Sequence, residues 1–329
     1  MSPKDPGSMP NIETVGQPEI ADPFKKYFPF LTALCCLASI ILFIGINLEP
    51  NIDSWDAYRK WGSPSATDIF HGSYWGLISS NFLHTELWHI AGNLYWLWIF
   101  GKKIEFESSK GYFAILILSA ALVSSLAELS FSDSSGIGLS GIVYSLFGFL
   151  LVKRKTTETY KSSLDNKTVR SFLFWLALCF ILTQNKTLNI ANAAHVGGLL
   201  WGILFAFISK FEIYQQWLLG FGLVAVLTSS VFWNPLGTSW LLTQADDLHN
   251  NNRTDEAIIM YKKILSQNPD NEFVKSTVKH LEIQKLQQQA YDLHKNRNYK
   301  DARKVYNAIL GIDPGNEWAK ESLLLLPLE

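Results

Sequence analysis

Between residues 28 and 235 the chain passes through seven apolar stretches, 28–48, 88–106, 112–130, 140–153, 171–184, 194–209 and 217–235. A helix needs about 20 mostly apolar residues to cross a bilayer. Several of these runs are short or hold polar residues, and any one alone fits a core helix of a soluble domain. Seven in succession fit a polytopic membrane bundle, an all-α fold with six core transmembrane helices and a seventh at 217–235. Twelve Trp and 21 Phe, many near the ends of the runs, suit aromatics anchored at the membrane interface. Cys35, Cys36 and Cys179 all lie inside apolar runs, so they read as small packing residues rather than as disulfides or metal ligands. A formal net charge of −1 gives no ground for a nucleic-acid partner.

Residues 1–27 are rich in Pro, Gly and charge and read as a disordered tail. A secretory signal peptide is not expected, because the first apolar run starts late and no small-residue cleavage site follows it. Cations gather in this tail (Lys4, Lys25, Lys26), after the second run (Lys102, Lys103, Lys110) and after the fourth (Lys153, Arg154, Lys155, Lys161, Lys167, Arg170). Such loops stay cytoplasmic, which puts the N-terminus there and makes the second, fourth and sixth helices run inward from the outer face. The compact layout points to a bacterial cytoplasmic membrane. The chain divides into the tail, a six-helix unit at 28–212, a seventh helix within 213–240 and a polar helical region at 241–329. If the seventh segment spans, the last region lies outside; if it is interfacial, that region is cytoplasmic. Asn234, Pro235 and the few cations after them favour spanning.

The stretch Gly136–Lys155, "GIGLSGIVYSLFGFLLVKRK", opens with glycines spelled like a dinucleotide-binding loop. That reading needs a strand before it and a βαβ unit around it, and an apolar helix precedes it instead. Ser140 opens the fourth helix, His195 opens the sixth, and His89 and Asn93 open the second. Parallel helices starting at one face bring these polar groups to one depth, and polar side chains inside a membrane mark function by default. Gly198 follows His195 by three positions and Gly202 by seven, and Gly141, Ser145 and Gly148 make a matching small face on the fourth helix. Such faces allow close backbone approach and bring His195 within reach of Ser140. Tyr144 then lies against the imidazole. His89 and Asn93, four apart, are candidate oxyanion donors together with the Ser140 N–H.

These residues resemble a family. Gly138-Leu139-Ser140-Gly141 with Tyr144, Ala194-His195-Val196-Gly197-Gly198, and His89-Ile90-Ala91-Gly92-Asn93 with His84 upstream look like the motifs of rhomboid intramembrane serine proteases. The resemblance covers about 28–210. It implies a Ser140–His195 dyad without an acid, no cofactor, and cleavage of membrane-anchored protein substrates near or within the bilayer. The family often carries Trp-Arg in its first outer loop, where this chain has Trp75-Gly76. A catalytically inactive rhomboid-like binding or trafficking protein is the alternative, but such proteins are expected to lack the serine or the histidine. A zinc site at "HTELWH" (84–89) is not expected, since its histidines are five apart where a helical metal motif needs four. His84 reads instead as a hydrogen-bonding support of the outer loop. A transporter reading lacks repeat symmetry and a charged midplane path.

Residues 245–272 repeat as 290–317. Ala245/Ala290, Leu248/Leu293, Ala257/Ala302, Tyr261/Tyr306, Ile264/Ile309 and Pro269/Pro314 coincide at a constant offset of 45. Small residues, an aromatic knob and a closing Pro resemble tetratricopeptide helix pairs, whose period is about 34. The longer spacing predicts an extended helix between the units. This resemblance implies a peptide or protein partner, or a purely packing role.

Overall fold

The computed structural model describes residues 23–327 except 53, 133, 163, 209–211 and 233–236. Most of the tail, Lys4 included, and the Asn234-Pro235 pair lie outside the described residues. The described residues carry helices and turns and no strand. After a single turn α1 (Pro23–Lys26) comes α2 (Phe30–Asn47), then a loop holding α3 (Trp55–Lys60), α4 (Ala66–Phe70) and α5 (Gly76–Ser79). The bundle continues through α6 (Leu87–Glu107), α7 (Lys110–Leu129), α8 (Ser140–Lys153), a turn α9 (Glu158–Lys161), α10 (Asn166–Gln184), α11 (Asn192–Ile208) and α12 (Ile213–Phe232). Each apolar run read from the sequence falls on a helix over most of its described residues.

The tail ends earlier than its composition suggests. Phe24 and Tyr27 pack edge-on against Phe106 at 5.4 and 5.2 Å, and the Tyr27 hydroxyl donates to the Glu105 carbonyl. Two aromatic contacts thus order a segment that its charge and Pro content mark as loose. Beside them the buried Glu105 side chain accepts from the Leu31 and Thr32 N–H groups at 2.9 Å and from the Thr32 hydroxyl at 2.8 Å. A carboxylate there satisfies donors that the first turn of α2 leaves without partners.

Among the described residues three helices, α2, α7 and α10, are long and apolar enough to cross a membrane. Their outward residues are apolar too, including Leu37, Ile41, Phe174 and Ile181. By contrast α8 has 14 residues, about 21 Å at 1.5 Å per residue, shorter than a hydrocarbon core. It sits at the centre, with Gly141 to Leu150 all buried. Its irregular lead-in at 136–139 is therefore packed in protein, the setting in which non-helical backbone is tolerated at membrane depth.

The main contact of the bundle is between α8 and α11. A methyl added at Gly198 would overlap the Gly141 carbonyl, one at Gly202 the Ser145 carbonyl, and one at Gly148 the Leu199 carbonyl. The two backbones touch with no side chain between them. On the other side, α7 supports both: a Cβ at Gly197 would meet Ala127 Cβ at 2.6 Å, and one at Gly141 would meet Ser124. Around this seam Phe147 stacks on Phe172 at 4.6 Å.

The polar region folds as α13 (Thr238–Asn250), α14 (Thr254–Gln267), α15 (Glu272–Lys295), α16 (Tyr299–Ile312) and α17 (Glu317–Leu324). The offset of 45 holds in the backbone. α14 maps onto α16, α13 and α15 end at equivalent positions, and Asn252 and Arg297 turn the chain with φ of 62° and 61°. Ala257, Tyr261 and Ile264 are buried in one core, and Ala302, Tyr306 and Ile309 in a second. The 24-residue α15 spans both, so the excess over a shorter repeat is one long shared helix.

Helix α13 packs against α4 in the loop that follows α2. His71 joins them: its Nδ1 donates to the Thr67 carbonyl at 2.8 Å, and its Nε2 reaches Asp247 Oδ1 at 3.1 Å. The repeats thus stand at the end of the bundle that carries this loop. The hydrogen bond to Asp247, then that to Thr67, holds the His71 pKa above its ordinary value, with Asp246 adding to the attraction. A raised histidine pKa strengthens the docked state below about pH 6.5, and this contribution is lost as pH rises through the elevated value. Spin labels at Ser73→Cys and Asn251→Cys should give a narrower distance distribution at pH 6 than at pH 8.5, with the difference gone in His71→Ala. Separately, Gly202→Val should cost about 1–3 kcal/mol or more through overpacking, read as a lower thermal unfolding midpoint in detergent.

Candidate active site

Backbone geometry, rather than a strong local motif, delivers the serine. Gly136 and Gly138 have φ of +74° and +99°, conformations that a side chain resists. A Cβ at Gly138 would also fall 2.6 Å from the His89 ring. The loop is tied down by Gly138 N–H donating to the Ser80 carbonyl at 3.2 Å and by Ser135 donating to the Ser80 hydroxyl. Leu139 then caps α8, and Ser140 is its first residue. N–H groups of a first turn have no carbonyl four residues back to pair with, so the Ser140 amide is available to a ligand oxygen.

His195 enters from α11 in the position that the glycine seam dictates. Its Nε2 lies 2.8 Å from Ser140 Oγ, the separation at which the hydroxyl can donate to an unprotonated Nε2. The Tyr144 ring lies 4.8 Å from that imidazole at an interplanar angle of 34°, and the Tyr144 hydroxyl donates to the Phe172 carbonyl. His195 Nδ1 is buried without a hydrogen-bond partner among the described residues. The base is thus held by packing on Tyr144 and by its helix, with no carboxylate on its second nitrogen. Gly141 and Gly198 sit where the seam pulls the two helices together.

The same cavity, of about 1170 Å³, is walled by Ser140, Tyr144, His195, His89, Asn93 and Glu128. Trp55 and Tyr58 of α3 also line it. All eight site residues expected from the sequence therefore fall on this cavity or on the seam and loop that shape it. The relation among the histidines is more specific than the spacing foretold. Two donors, the Leu139 N–H at 3.3 Å and an Asn93 amide N–H at 3.0 Å, converge on His84 Nε2. That nitrogen must be unprotonated, so Nδ1 carries the proton and donates to the Phe82 carbonyl at 3.2 Å. His84 hence supports the serine loop as well as the outer loop, and both its nitrogens are committed. One Asn93 N–H is engaged with it, leaving the second for the cavity. The His89 ring meets His84 edge-on at 4.9 Å.

Sequence reading passed over Glu128, at the end of α7. Its Oε2 accepts the Ala194 N–H at 3.0 Å, one residue before the imidazole. A carboxylate in an apolar helix was the available signal, but it sits beside the polar "SFSDSS" (130–135) and reads as the start of a surface loop.

With this geometry in hand, residues 71–210 match the family model described as the Rhomboid domain. Among curated proteins, "Rhomboid protease GlpG" of Yersinia enterocolitica serotype O:8 / biotype 1B is 31% identical over 171 residues, which covers 52% of this chain and 61% of that protein. The protein of the same name from Yersinia pseudotuberculosis serotype I is 32% identical over 172 residues, 52% of this chain and 59% of its own length. The chain thus spans about three fifths of the length of these relatives, and the repeats beyond residue 210 lie outside the matched family domain.

Replacing His84 by Ala leaves the Leu139 N–H and an Asn93 N–H without their acceptor. Each buried polar group so orphaned costs about 1–3 kcal/mol, and His84→Ala should unfold at clearly lower temperature or denaturant than wild type.

Proposed function

From the match of residues 71–210 to the Rhomboid domain model, we propose that the chain is an intramembrane serine endopeptidase that cleaves membrane-anchored proteins. The observation that supports this most is the 2.8 Å approach of His195 Nε2 to Ser140 Oγ inside a walled cavity. An inactive relative would have no need to keep both partners in that geometry.

In this reading Ser140 Oγ attacks the scissile carbonyl as His195 Nε2 takes its proton. The tetrahedral oxyanion is held by the Ser140 N–H, His89 and the free Asn93 N–H. His195 then gives its proton to the leaving amine, and the acyl chain remains on Ser140. Water, deprotonated by the same imidazole, hydrolyses the ester and restores the serine. Tyr144 fixes the ring plane of the base, and no cofactor takes part.

Lys and Arg in the tail and in the loops after α6 and α8 orient the N-terminus to the cytoplasm and the cavity to the outer side. The repeats then lie outside as well, since α13 rests on α4. We read 241–329 as a tetratricopeptide-like module for a peptide or protein partner near the cavity.

Purified protein in liposomes should cleave a single-span substrate with small residues at the cut site. Ser140→Ala and His195→Ala should abolish cleavage with the fold intact; turnover near wild type in either variant contradicts the dyad. Loss of one oxyanion donor in Asn93→Ala should lower kcat by about 10²–10³ with little change in KM.

A further inference from the structure

Glu128 stands at the junction of every element that builds the site. Its carboxylate accepts the Ala194 N–H at 3.0 Å, within the first turn of α11. Its stem lies under the loop that carries Ser140, since a Cβ at Gly136 would come within 3.4 Å of Glu128 Cγ and 3.0 Å of Ala191. One residue earlier, Ala127 abuts Gly197 of α11. The residue is 8% exposed and borders the cavity. A charge in this position is costly to bury and needs partners; beside the Ser132 side chain, these are the amides at the start of the helix that bears the base.

Among the described residues His195 has no acceptor on Nδ1. The orienting task that a hydrogen-bonded third group performs in a triad is therefore not done at the ring. We infer that Glu128 performs it at the backbone: as a positioning residue it caps α11 next to His195, and so sets the height and rotation at which the imidazole meets Ser140. Negative charge at a helix N-terminus is favourable, and the pinned amide belongs to the residue directly before the base. This assignment rests on the dyad reading above, but the geometry it concerns has a readout of its own.

The test compares wild type, Glu128→Gln and Glu128→Ala by cleavage kinetics on the single-span substrate and by the imidazole ¹⁵N shifts of His195. Gln retains an oxygen to accept the Ala194 N–H; Ala does not. Glu128→Ala should lose at least about 10-fold in kcat, since small misplacements at a reacting centre are expensive, with KM within about 3-fold and the His195 ¹⁵N signals displaced. Glu128→Gln should stay within about 3-fold of wild type with His195 signals unmoved. Equal impairment of both variants, or a normal kcat in Glu128→Ala, overturns the assignment. If wild type itself shows no turnover, the protease reading falls, and the spectra alone then decide: His195 signals displaced in Glu128→Ala and kept in Glu128→Gln support the capping role, and signals unmoved in Glu128→Ala overturn it.

Discussion

The backbones of α8 and α11 lie in direct contact, with Gly198 on the Gly141 carbonyl, Gly202 on that of Ser145 and Gly148 on that of Leu199. Apolar side chains have no driving force to associate in lipid, so helices there are held by close packing of small residues and by polar contacts. This seam fixes two things together. It buries a helix of 14 residues that could not span on its own, and it sets the separation at which an imidazole from one helix reaches a hydroxyl from the other. A side chain at any of the three glycines would push the helices apart by more than a hydrogen bond tolerates.

Height along the seam is set elsewhere. The serine loop is held by Gly136 and Gly138 in left-handed conformations and by His84, whose acceptor nitrogen gathers the Leu139 and Asn93 N–H groups. The base is held by Tyr144 below the ring and by Glu128 at the start of its helix. The cavity is thus polar around the Ser140–His195 pair, and Tyr144 and Glu128, which brace the base, also border it. Such preorganised donors cost no rearrangement when charge develops.

Much of this was legible in the sequence for a physical reason. Ser140, His195, His89 and Asn93 are polar groups at the starts of apolar runs, and alternating topology forces those starts to one level. Tyr144, Gly141 and Gly198 followed from helical spacing, and Gly138 from the family resemblance. The repeat was legible even to its turns, because a constant offset carries Asn252 to Arg297 and α14 to α16. What stayed hidden pairs a side chain with a backbone group. Ala194 N–H and the Leu31 and Thr32 amides leave no mark in a sequence, so Glu128 and Glu105 read as ordinary charges near helix ends. The helical turn at Pro23–Lys26 was hidden likewise, since Phe24 and Tyr27 find Phe106 only after α6 is in place. The seat of α13 on α4 depends on His71 and Asp247, which are 176 positions apart.

The central claim is that Ser140 is an activated nucleophile whose base is His195. The most direct measurement is the rate of covalent labelling of the detergent-solubilised protein by a fluorophosphonate, with Ser140→Ala and His195→Ala beside wild type. The account predicts labelling of wild type, none in Ser140→Ala, and a rate reduced by at least about 10² in His195→Ala, the low end of what general-base assistance contributes. Labelling that persists in Ser140→Ala, or that proceeds at the wild-type rate in His195→Ala, would contradict it.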